Sequence, residues 1–108
     1  MKGFGGAGGM QALMRQANQM QNKMKKMQEE FATREFDATS GGGAVTIKMM
    51  GDYKIKTVQI QPDVFTSGDK EMLEDLMATA FNEAYRKVKE ESDKEMAKIT
   101  GGVGFPGM

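Results

Sequence analysis

The chain has 108 residues, 15 basic, 15 acidic, no cysteine and no histidine, which excludes Ser-His-Asp triads, Cys/His nucleophile pairs and thiolate zinc sites. One domain fits that length, and with glycine-rich ends its packed part is about 90 residues, small enough that self-association is expected. Zero net charge excludes an all-over basic surface but not a local one: residues 1–28 hold five bases and no acid, residues 62–85 six acids against Lys70.

No apolar run approaches the roughly 18 residues of a membrane span, and GFGGAGG follows Lys2 where an export signal would be apolar. The expectation is a soluble cytoplasmic protein without cofactor, membrane contact or small-molecule substrate. Residues 1–9 read as a flexible tail because glycine-rich chain buries too little surface to offset its ordering entropy. Residues 10–100 read as the folded domain, and 101–108 as a second flexible tail.

From Met10 to about Glu30 the residues are good helix formers without Gly or Pro. Met10, Leu13, Ala17, Met20, Met24, Met27 and Phe31 recur three and four apart, an a/d seam held for three heptads. With Met10 at a, Arg15 falls at f, Lys25 at b, Lys26 at c and Lys23 at g, so the seam is apolar and the outer face basic. TREFDATS then reads as a strand, SGGGAV as a glycine turn, and AVTIKMM as a strand with Val45, Ile47 and Met49 on one face. Gly51-Asp52 reads as a two-residue hairpin loop into YKIKTVQIQ, whose apolar residues change phase between Ile55 and Val58. A bulge near Thr57, or cover on both faces, would account for that change.

Pro62 closes the strand, PDVFTSGD reads as a loop, and Asp69 as the N-cap of a helix reaching about Ile99. Leu73, Leu76, Met77, Ala80, Phe81, Ala84 and Val88 form its core stripe. Helices of about 25–30 residues span about 37–45 Å, strands of about seven residues about 23 Å. The helices therefore overrun the sheet, and their overhangs need another partner.

In order, GGMQALMRQANQMQNKMKKMQEE, SGGGAVTIKM, VQIQPDVF, EMLEDLMATAFNEAYRKVKEES and EMAKITGGVGFPGM resemble the YbaB/EbfC family of bacterial nucleoid-associated proteins almost end to end. The resemblance implies an α+β fold, an α-β-β-β-α chain with a small three-stranded antiparallel sheet and two long projecting helices, forming a tweezer-like homodimer. It also implies double-stranded DNA binding, association with the nucleoid and an influence on gene expression. The chain departs from the family at the hairpin, which commonly carries Asn-Gly, and in its 12 methionines.

The expected DNA-binding residues are Arg15, Lys23, Lys25 and Lys26 on the first helix and Arg86, Lys87, Lys89, Lys94 and Lys98 on the last. On the last helix Glu90, Glu91, Asp93 and Glu95 dilute the bases, and residue pattern alone favours i,i+4 pairing there; the resemblance brings the segment into the DNA-binding arm. Asn18, Gln19, Asn22 and Gln28 are the amides that could read base edges. Gly41 to Gly43 lead into a strand with no GK[ST], so they form a turn and no phosphate loop. Glu29/Glu30 and Glu74/Asp75 are adjacent on helices and diverge around the axis, so no catalytic carboxylate pair is expected. The alternative is a protein-interaction adaptor or chaperone-like factor working through the methionine seam.

Overall fold

The computed structural model describes residues 7–100, in the order α1 (Ala7–Ala32), β1 (Glu35–Ser40), β2 (Val45–Met50), β3 (Ile55–Ile60), α2 (Pro62–Thr66) and α3 (Lys70–Ile99). The three strands form an antiparallel sheet in the order β1-β2-β3. The anticipated helix-sheet-helix chain is therefore present, with differences at its joints. Helix α1 begins at Ala7, so residues 7–9, expected in the tail, form its first turn; the rest of both expected tails lies outside the described residues. The expected loop after Pro62 contains α2, with Pro62 in its first turn, where a missing N–H costs nothing.

The β2–β3 hairpin closes around three residues instead of two. The Met50 N–H donates to the Lys54 carbonyl at 2.7 Å and the Tyr53 N–H to the Met50 carbonyl at 2.9 Å. Tyr53 takes the left-handed position with φ 68°, the place a three-residue turn commonly gives to glycine. Its ring lies 5.0 Å from that of Tyr85, a contact that offsets part of the backbone cost.

The phase change along β3 is a bulge. Lys48 pairs with Thr57 but Met49 pairs with Ile55, leaving Lys56 as the extra residue. As a result Ile55, Val58 and Ile60 all point to the face carrying Met49, Ile47 and Val45. The opposite face is polar, and there Glu35 bridges Lys48 at 3.1 Å and Lys56 at 2.6 Å.

Helix α3 lies across β1 and β2. Its Ala80, Ala84 and Val88 meet Ala38, Val45, Ile47 and Met49 in the core, which Phe31 of α1 completes. Two polar groups fix the docking: the Ser40 hydroxyl donates to the Leu76 carbonyl at 2.6 Å, and the Lys87 ammonium to the Asp37 carbonyl at 2.7 Å. Asp69 caps α3 as expected, accepting from the Met72 N–H at 3.0 Å.

Past the sheet, α3 runs beside α1, and the two helices make an arm. The molecule measures 78 × 26 × 16 Å with a radius of gyration of 21.5 Å, against about 13 Å for a compact domain of this length.

Candidate nucleic-acid interface

Among the described residues, helix α1 buries side chains only towards its C-terminal end. Phe31 is buried, Met27 and Met24 are half-buried, and every residue described from Gly8 to Lys23 is exposed. Arg34, just past the helix, locks that end. Its guanidinium sits 5.0 Å from the Phe31 ring centre and 5.1 Å from that of Phe36, within reach of Glu91 at 3.6 Å and Glu95 at 3.9 Å. Sequence reasoning passed over Arg34, although a lone base between two phenylalanines was the available signal.

The nine expected site residues separate into two electrically different sets. On α3, each cation already has an acceptor. Arg86 holds Glu83 and Glu90, the latter at 2.6 Å; Lys89 reaches Asp93 at 3.6 Å, Lys94 Glu91 at 3.2 Å and Lys98 Glu95 at 2.9 Å. Lys87 is the one taken up by the Asp37 carbonyl. The hydrogen bonds that Arg86 donates to Glu83 and then Glu90 push its pKa above the ordinary arginine range, and the hydrogen bond donated by Lys98 holds the Glu95 carboxyl below its ordinary value.

On α1, Arg15, Lys23, Lys25 and Lys26 are all exposed. Among the described residues none of the four has a carboxylate within ion-pair distance. For Arg15 and Lys23 the local reason is sequence, since neither has an acid three or four residues away; Lys25 and Lys26 have Glu29 and Glu30 at those spacings, but neither closes an ion pair with them. From Arg15 to Lys26 the helix rises about 16 Å. The result is a thin, solvated rod bearing uncompensated positive charge, a geometry suited to a polyanion's backbone. Asn18, Gln19, Asn22 and Gln28 are exposed on the same helix.

A profile of the YbaB/EbfC DNA-binding family matches residues 6–103. The chain is 45% identical over 105 residues to a nucleoid-associated protein of Clostridium kluyveri, covering 97% of this chain and 92% of the relative. To a nucleoid-associated protein of Clostridium novyi it is 46% identical over 106 residues, covering 98% and 93%. An Alkaliphilus metalliredigens nucleoid-associated protein is 42% identical over 106 residues, covering 98% and 93%. Among solved structures, an uncharacterised Helicobacter pylori protein shares the fold at TM-score 0.63 and 23% identity, covering 72% of this chain and 90% of that one.

Proposed function

The chain belongs to the YbaB/EbfC DNA-binding family, and we propose that it binds double-stranded DNA as a homodimer, organising the nucleoid and influencing gene expression without catalysis. The observation that carries this reading is the unequal state of the two basic sets. Arg15, Lys23, Lys25 and Lys26 are free to meet phosphates, whereas the α3 cations must first leave an acceptor. Surface ion pairs are worth only about 0–1 kcal/mol, so in this reading Arg86, Lys87, Lys89, Lys94 and Lys98 can exchange their acceptors for phosphates and serve as secondary contacts.

Support for the homodimer comes from β3. Helix α3 covers β1 and β2, while on the edge strand Ile55 and Val58 keep 41% and 39% exposure on the core-facing side. Phe65 of α2 is a further exposed apolar side chain, at 70%. An uncapped, apolar edge strand invites pairing with a second copy.

The test is a titration of duplex DNA at about 50 and about 200 mM salt with mass followed by light scattering. Four cations per chain, doubled, call for a log–log salt slope between about −4 and −7. A flat response, or DNA bound by a monomer, contradicts the reading. The adaptor alternative is favoured by the exposed seam residues Met10, Leu13 and Met20, and a stable protein partner recovered free of nucleic acid would support it.

A further inference from the structure

At the far end of the arm, Ile99 of α3 closes a groove of 410 Å³ against Leu13, Ala17 and Met20 of α1, with Lys23 at its rim. The apolar side chains there are open to solvent: Leu13 is 64% exposed, Met20 42% and Met10, beyond them, 62%. A helix of this length is marginal in water unless its apolar face packs against something.

A second groove lies over the start of α3. Its 380 Å³ are lined by Asp69, Glu71, Met72, Asp75, Leu76 and Thr79. Met72 and Leu76 stand four apart and form an apolar row, and Glu71 and Asp75, also four apart, form an acidic row beside it. Met72 is 38% exposed. Among the described residues neither Glu71 nor Asp75 has a cation within ion-pair distance. The wall is rigid, since the Ser40 hydroxyl holds the Leu76 carbonyl at 2.6 Å.

Each groove thus joins an exposed apolar row to uncompensated charge, and the two signs are opposite. They cannot meet within one molecule, because from Thr79 to Ile99 the straight helix rises about 30 Å. We infer that the α1 tip of one copy docks on the acidic α3 groove of another. Leu13, Ala17 and Met20 lie along Met72 and Leu76, and Lys23 faces Glu71 and Asp75. Ala17, the small member of its row, leaves the hole that a methionine knob fills. A second α1 fits the seam less well, because it would bring like charges together.

The contact uses two different surfaces, so a copy that has docked its tip still offers its groove. Copies therefore join head to tail, in rows unless the rotation closes a ring. This goes beyond pairing through β3, which uses one surface twice. Lys25 and Lys26, at outer positions of the heptad, stay in solvent and remain available to DNA.

Sedimentation velocity on the whole protein without DNA tests the inference, at about 10 mM salt and from about 10 μM to about 1 mM protein. The expected mass of the parent climbs with concentration to at least about twice that of two variants. Leu13→Gln with Met20→Gln breaks the tip without changing net charge, and Glu71→Lys with Asp75→Lys breaks the groove. Each variant alone should hold one mass throughout, and that mass, monomer or dimer, reads the β3 contact separately. An equimolar mixture should form a heavier complex that neither variant forms alone, because the intact groove of the first meets the intact tip of the second. All four side chains are exposed, so circular dichroism should show the fold unchanged. A parent mass equal to that of the variants at every concentration overturns the inference. So does growth that either variant leaves intact, or a mixture that forms no complex.

Discussion

Gly51 lies directly against the Phe31 carbonyl at the end of α1, so close that a Cβ there would stand 2.6 Å from the carbonyl carbon and 2.7 Å from the Phe31 ring. The backbone approach is fixed from both sides, since the Gly51 N–H donates to the Arg34 carbonyl at 3.0 Å. This is how a helix described as exposed from Gly8 to Lys23 is anchored to the sheet. The Gly51→Ala variant is expected to lose about 3 kcal/mol of stability, at the upper end for overpacking, because the obstacle is backbone and cannot rotate away. Urea unfolding of the two proteins measures it, and an unchanged midpoint would show that α1 is anchored elsewhere.

The polar face of the sheet gives a pH signature. Hydrogen bonds from Lys56 and then Lys48 hold the Glu35 carboxyl below its ordinary value of 4.5. A depressed carboxylate contributes stability that is complete above its unfolded pKa and lost as pH falls through the folded one. Stability should therefore decline below about pH 4.5, and a Glu35→Gln variant should differ from the parent at neutral pH yet converge with it in acid. The pair is exposed, so the difference is expected to be small and to shrink in high salt. Urea midpoints across pH 2–7 at low salt supply the check.

The edge strand makes a separate prediction about assembly. Ile55→Glu with Val58→Glu places charge on a surface that the single chain leaves open, so the fold should survive while the dimer dissociates. Light scattering reads the mass and circular dichroism the fold. A mass unaffected by the substitutions would move the dimer contact away from β3.

The elements that could be read from the residues are those set by short-range physics. The heptad helix α1, the Asp69 cap and the phase change on β3 each have a local cause, and each is found where it was expected apart from the start of α1, three residues earlier at Ala7. The three-residue hairpin was harder, because Tyr53 occupies a position where glycine or asparagine would have announced the turn. Helix α2 had its signal in Pro62, but five residues lack the periodicity that marks a helix. Gly51 and Arg34 owe their roles to contacts between α1, the sheet and α3, which no single segment encodes. The difference between the two basic sets was half legible: acids stand three or four residues from the α3 bases, whereas on α1 only Lys25 and Lys26 have such neighbours, Glu29 and Glu30, and Arg15 and Lys23 have none. Only the structure shows that Lys87 is spent on the sheet edge and that Glu91 and Glu95 also serve Arg34.

The most direct measurement compares two neutralised variants for duplex binding at about 50 mM salt, Lys23→Gln, Lys25→Gln, Lys26→Gln on α1 and Lys89→Gln, Lys94→Gln, Lys98→Gln on α3. Both remove three charges per chain, so a purely global electrostatic effect would weaken both equally. Uncompensated charge on α1 predicts a loss of about tenfold or more for the first set, with a salt slope shallower by several units, and a much smaller loss for the second. Equal losses, or a larger loss for the α3 set, would contradict the assignment of α1 as the DNA-binding face.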